Sequence, residues 1–225
     1  DSYIDYFEGN DGGIPMFGLP ALPNKLYVNK GDGSFSDQAE SMGLAYSFNQ
    51  PGFSEDSADD MGVDIGDYDN DGEQDFIISN DFGRTNLLFK CNANYCLDVA
   101  ADVGLPNTTR NWGILFEDLD LDGDLDLFCS ASNRPNGIPD LKDRLYWNLG
   151  GRFEGYNSEG IVLQNDTKEG YGIAAGDLNG NGSIDIVVAN AGDRPYVLEN
   201  RILSSYERNY LAIKLQGTTS NRDAI

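Results

Sequence analysis

Residues 67–75 read Asp67-Tyr68-Asp69-Asn70-Asp71-Gly72-Glu73-Gln74-Asp75. The same nine-residue grammar, D-x-D-x-D-G-x-x-D, returns as Asp118-Leu119-Asp120-Leu121-Asp122-Gly123-Asp124-Leu125-Asp126. It returns again, with amides at positions 3 and 5, as Asp177-Leu178-Asn179-Gly180-Asn181-Gly182-Ser183-Ile184-Asp185. Asp, Asn and Gly favour turns in any acidic chain, so the alternative for a single copy is an acidic β-turn. Three regular copies ask for more, because four carboxylates drawn into one loop repel unless a cation lies among them. In such a loop, positions 1, 3 and 5 turn oxygens inward, Gly at position 6 permits the sharp turn, position 7 offers its backbone carbonyl and position 9 closes the shell. The candidate ligands in loop one are Asp67, Asp69, Asp71 and Asp75, with Glu73 through its backbone. In loop two they are Asp118, Asp120, Asp122 and Asp126, with Asp124 through its backbone. In loop three they are Asp177, Asn179, Asn181 and Asp185, with Ser183 through its backbone. In this scheme the side chain at position 7 is free to vary. An all-oxygen, flexible set selects Ca²⁺, with Mg²⁺ and its stricter octahedron as the lesser alternative. An EF-hand is excluded, because no Glu stands at position 12 and the flanks are not helical. Ranked by ligand charge, loops one and two should bind alike and loop three more weakly.

The flanks repeat as well. A Gly-bearing segment precedes each loop (Met61-Gly62-Val63, Trp112-Gly113-Ile114, Tyr171-Gly172-Ile173), and an apolar run follows it (Phe76-Ile77-Ile78, Leu127-Phe128-Cys129, Ile186-Val187-Val188). Short, β-branched or aromatic and bounded by turn residues, these runs predict buried strands, so each acidic loop joins two strands. Third strands follow at residues 24–29, 86–90 and 144–148, and fourth strands open at Gly33-Ser34-Phe35 and Gly151-Arg152-Phe153. Residues 37–44 and 98–105 match closely after them. The opening Asp1-Ser2-Tyr3-Ile4-Asp5 fits the tail of a fourth loop, which adds Asp1 and Asp5 as a partial ligand set. The closing Asp residues, 5, 75, 126 and 185, are then spaced by 70, 51 and 59 residues. Four strands per unit at this kind of period predict an all-β propeller of about four blades over residues 1–200.

Composition narrows the function. Against 15 Lys and Arg stand 38 Asp and Glu, a formal net charge of −23. That argues against a nucleic-acid binder, whose phosphate contacts need a basic surface, and disfavours anionic lipid. The chain has no His, which removes Ser-His-Asp and Cys-His catalysis and every His-based zinc site. No apolar run is long enough to span a bilayer. The expectation is therefore no nucleic acid and no membrane insertion.

The loop grammar followed by an apolar strand resembles FG-GAP/VCBS repeats, as in integrin α-subunit propellers. Residues 208–217 (Arg208-Asn209-Tyr210-Leu211-Ala212-Ile213-Lys214-Leu215-Gln216-Gly217) and 220–225 are similar to the start of an ASPIC/UnbV segment, placed at 201–225. Together they resemble the cartilage acidic protein family and its bacterial secreted relatives. The resemblance implies a propeller with Ca²⁺ in the loops, an extracellular location, a role in adhesion or assembly, and no catalytic residues. It implies a protein partner or self-assembly, with carbohydrate as a second partner class. The chain opens inside a loop and ends inside the tail motif, so it is expected to be a fragment.

Cys91 and Cys96 flank a turn in the second repeat. A disulfide there is expected over two reduced thiols, and Cys129, in a predicted buried strand, is expected free. Asn107, Asn165 and Asn181 head glycosylation sequons, with Asn181 inside loop three. Trp112, Trp147, Tyr146 and Tyr156 fit either propeller packing, which is favoured, or sugar stacking. The competing enzyme reading is a propeller lyase, dehydratase or glycosidase acting on carbohydrate. Its nearest catalytic candidates outside the loops are Asp64, Glu117 and Arg110, each with a bland strand or surface alternative.

Overall fold

A computed structural model of the chain describes residues 4–10, 23–45, 60–80, 86–105, 111–131, 143–155 and 170–202. They form four antiparallel sheets whose strands lie in chain order. The first holds β1 (Tyr6–Glu8), β2 (Lys25–Asn29) and β3 (Phe35–Asp37), followed by the short helix α1 (Ala39–Met42). The second holds β4 (Asp60–Gly66), β5 (Asp75–Asn80), β6 (Leu87–Cys91) and β7 (Cys96–Asp98). The third holds β8 (Asn111–Glu117), β9 (Asp126–Ala131), β10 (Arg144–Asn148) and β11 (Phe153–Gly155). The fourth holds β12 (Gly170–Gly176), β13 (Asp185–Asn190) and β14 (Tyr196–Leu198). These are propeller blades. Each complete acidic loop joins the first strand of its blade to the second, as the repeat predicts, and Asp5 stands at the equivalent place before β1.

The strand period of two explains how the blades stack. Along β5, Ile77 faces the third blade, in a cluster with Leu88, Ile114, Phe116, Leu127 and Tyr146. Its neighbours Phe76 and Ile78 face the first blade, in a cluster with Leu26, Leu44, Leu87 and Phe89. Phe128 and Leu119 of the third blade pack with Ile186 and Val188 of the fourth. The cores thus lie between blades, and the second strands of the two middle blades are buried on both faces: every residue of β5 and of β9 is buried. Ile77, Leu88 and Leu127 are each 0% exposed, and burying a side chain of that kind contributes roughly 1.5–3 kcal/mol.

The first strands β4, β8 and β12 pack successively against one another. Their approach explains the glycines of β4 and β8. A Cβ on Gly62 would stand 2.5 Å from the Trp112 carbonyl, and one on Gly113 would stand 2.4 Å from Ile173. Ser79 donates its hydroxyl to the Trp112 carbonyl at 2.9 Å, and Ser130 does the same to Gly170 at 2.9 Å. The matched segments 37–44 and 98–105 prove to be docking turns. Asp37 and Asp98 each accept from a third-strand amide (Leu26, Leu88) and from the turn amide (Ala39, Ala100). The second turn then receives the next blade, whose Phe153 amide donates to Val103 at 2.8 Å.

Cys91 and Cys96 form the expected disulfide, and Cys129 is a buried free thiol. Tyr146 is buried between blades, and Trp112 lies against Tyr171 with ring centroids 4.2 Å apart. Tyr156, Asn107, Asn165, Arg110 and the tail from residue 203 lie outside the described residues, as does Asp1.

Candidate metal centre

Each acidic loop is shaped by its own carboxylates and amides. Asp67 accepts from the backbone amides of Asp71 and Gly72 at 3.0 and 2.8 Å. Asp118 accepts from Asp122 and Gly123, both at 3.1 Å, and Asp177 from Asn181 and Gly182 at 3.0 and 2.8 Å. Position 5 accepts from the position 7 amide in all three loops, at 3.0, 3.0 and 2.8 Å. Gly72, Gly123 and Gly182 have φ of 92°, 97° and 85°, a region that strains any side-chain-bearing residue.

The closing Asp is a bolt as well as a candidate ligand. Its Oδ2 accepts from the position 2 amide: Tyr68 to Asp75, Leu119 to Asp126 and Leu178 to Asp185. Its Oδ1 accepts from the amide that ends or follows the third strand: Cys91 at 2.8 Å, Asn148 at 2.9 Å and Asn200 at 2.8 Å. Asp5 takes the Asn29 amide in the same way at 2.8 Å. This fourfold recurrence places Asp5 in the repeat by geometry. Burial pushes Asp75 up to about 6 and Asp126 up to about 7, so each is held away from its charged form by lost hydration.

The loops draw carboxylates together differently. In loop one, Asp67, Asp69 and Asp71 offer oxygens within 4.8 Å of one another; in loop two, Asp118, Asp120 and Asp126 do so. Loop three has carboxylates only at Asp177 and Asp185 among its ligand positions, so no such triplet forms there. Asn179 and Asn181 turn their amide oxygens to the loop backbone, and Asn181 Nδ2 reaches the Asn200 carbonyl at 3.5 Å. The donors gathered in loops one and two are all carboxylate oxygens, which suits a hard cation and offers nothing to a soft one.

Two features escaped the sequence reading. Position 7 is not uniformly free. Asp124 accepts from Asn70 Nδ2 of loop one at 2.7 Å and from the Gly150 amide at 2.9 Å, and Ser183 is fully buried. Only Glu73 stands exposed as the sequence reading expects. The second feature is Lys90, on β6, whose ammonium is ion-paired with Asp69 and, at 2.8 Å, with Asp71. That contact is the main reason the Asp71 carboxyl sits below its ordinary range. Neither contact has a sequence signal, because both partners come from another blade or another strand.

Of the enzyme candidates, Asp64 has a structural occupation. Asp64 accepts the Phe116 amide of the next blade at 2.8 Å and the Ile65 amide at 2.9 Å. Glu117 is half-buried, and lost hydration raises its carboxyl. Among the described residues, no helix is long and apolar enough to cross a membrane.

A family model described as FG-GAP-like repeat matches residues 67–129 and again residues 118–188, together more than half of the 225 residues. Each match opens on the first Asp of one acidic loop and runs through the next blade's loop into its second strand. No curated protein matches the chain.

Proposed function

The chain belongs to the FG-GAP-like repeat family, and from that premise we propose that it is a Ca²⁺-stabilised, extracellular β-propeller module for protein interaction, adhesion or structural assembly. The observation that carries this reading is the convergence of carboxylate oxygens in two successive loops of the same repeat, at positions 1, 3 and 5 of loop one and at positions 1, 3 and 9 of loop two. Calcium would be held in loop one by Asp67, Asp69, Asp71 and Asp75 and in loop two by Asp118, Asp120, Asp122 and Asp126, with carbonyls at Glu73 and Asp124. Loop three would hold it through Asp177, Asn179, Asn181, Asp185 and the Ser183 carbonyl, and Asp1 and Asp5 would belong to a further loop. Calcium fits better than magnesium because these loops mix carboxylates with carbonyls and, in loop three, amides.

The ion's contribution is structural. It neutralises the convergent acids and fixes the turn between the first two strands of a blade. The disulfide fits an oxidising compartment, and the segment from Arg208 reads as the start of an ASPIC/UnbV-like extension. The partner surface is the loop-bearing rim, since the strands are covered by neighbouring blades. With a charge of −23, that rim favours a basic protein partner or another copy of the chain bridged by cations. Carbohydrate is the second class of ligand. No residue is given a catalytic role; of the acids outside the loops, Asp64 is occupied by the amide of the next blade.

Calorimetric titration of Ca²⁺ into the chelator-treated chain tests this. Binding should be lost from loop two in Asp120→Ala and should fall less in Asn179→Ala, where a neutral ligand is removed. Absence of calcium binding, or binding unaltered by both substitutions, would refute it.

A further inference from the structure

Lys90 is peculiar to one blade. It stands one residue before the amide that donates to its blade's closing Asp, where the other blades have Val28, Trp147 and Glu199. Its ammonium is seated between Asp69 and Asp71, the carboxylates at positions 3 and 5 of loop one. No equivalent cation enters loop two among the described residues: Trp147 turns instead to the core shared with the fourth blade. Loop one therefore already contains a positive charge of the protein's own, on a stem that is partly in water (the Lys90 side chain is 39% exposed).

We propose that Lys90 is a tethered competitor for the divalent cation of loop one: its ammonium takes the place of the ion in the ion-free protein and must swing out for the ion to enter. The proposal rests on the reading that the loops take calcium. An ammonium left beside a divalent ion would repel it more strongly than an exposed ion pair attracts, so the two cations exclude each other. The exposed stem gives the displaced ammonium a route to solvent without disturbing the blade core. Two consequences follow. Loop one binds calcium more weakly than its four ligand carboxylates alone would give, which departs from a ranking by charge alone. Loop one also stays folded without the ion, because Lys90 neutralises the pair that would otherwise repel.

The test is calcium titration of the full chain at fixed ionic strength, comparing wild type with Lys90→Met and Lys90→Gln. The sites are assigned by Asp69→Ala for loop one and Asp120→Ala for loop two. Folding of each variant is checked by circular dichroism, and the Gln variant keeps a polar stem should Met disturb the strand. The proposal expects the Asp69-dependent site to tighten on the order of tenfold when the charge is removed, with the Asp120-dependent site unchanged. An Asp69-dependent site of unchanged or lower affinity in both variants, with loop two still binding, would overturn the role of Lys90 alone. Absence of calcium binding in wild type and variants alike would overturn the calcium reading together with it.

Discussion

Asn70 of the first acidic loop donates its side-chain amide to the Asp124 carboxylate of the second across 2.7 Å. The bond joins position 4 of one loop to position 7 of the next, so neighbouring loops are tied to each other as well as to their own blades. Asn70 reaches outward because its backbone is left-handed, with φ of 58°, and the equivalent Leu121 and Gly180 share that conformation at 61° and 74°. Gly and Asn adopt it readily; Leu does not.

Leu121→Asn should therefore stabilise the protein by about 1 kcal/mol, because the left-handed conformation costs a residue such as Leu roughly 1–2 kcal/mol. Asn70→Ala should act oppositely, since it adds that strain and removes the bond to Asp124. Thermal midpoints of the two variants check the pair; a lower midpoint for Leu121→Asn would contradict the strain argument.

Asn148 is fully buried, donates to the Tyr68 carbonyl of the preceding blade's loop at 2.6 Å and to Leu125 at 3.0 Å, and accepts from Gly151 at 2.8 Å. Asn148→Ala strands several buried groups and should cost roughly 2–4 kcal/mol. Denaturant unfolding reads this directly. The fourth blade repeats the bond from Asn200 to the Leu119 carbonyl at 2.7 Å, so Asn200→Ala should weaken the next blade interface in the same sense.

Stability without metal should depend on pH in an unusual direction. Asp75 and Asp126 are raised to about 6 and about 7 by burial. Between their unfolded values and these, the folded chain binds more protons than the unfolded one, so this contribution falls as pH rises from about 4 to about 7. Asp37 and Asp71, held low by Lys25 and Lys90, and Asp177, held low by loop amides, titrate below that window. In chelator the midpoint should be higher at about pH 5.5 than at about pH 7.5, and Asp126→Asn should flatten the difference. Calcium favours the charged carboxylates and should remove or reverse it. A chelated protein that melts lower at the acidic pH would contradict the assignment.

The blades were legible in the sequence because one loop grammar and the apolar run behind it recur at fixed offsets. Burial on both faces of β5 and β9 follows from runs such as Phe76-Ile77-Ile78. The docking turns at 37–44 and 98–105 showed as a match between segments, yet their purpose depends on Phe153 of the next blade, which no local pattern reveals. Asp64 illustrates the same limit: its sequence neighbours are bland, and its partner amide, Phe116, lies 52 residues on. Lys90 and the side-chain role of Asp124 are what one-dimensional reasoning missed at the candidate site, because it assigned each ligand position by spacing and had no means to see a cation or an amide arriving from another strand. The disulfide was accessible from spacing, since both cysteines flank one hairpin turn.

The account stands or falls on calcium being part of the folded structure. The most direct measurement is the thermal midpoint of the whole chain in chelator, then with Ca²⁺ or Mg²⁺ restored in excess. A ligand bound only by the folded state stabilises by roughly 2.7 kcal/mol at a hundredfold excess over Kd. The midpoint should drop by several degrees in chelator and recover with Ca²⁺ more fully than with Mg²⁺. Superimposable melting curves with and without chelator would contradict the account.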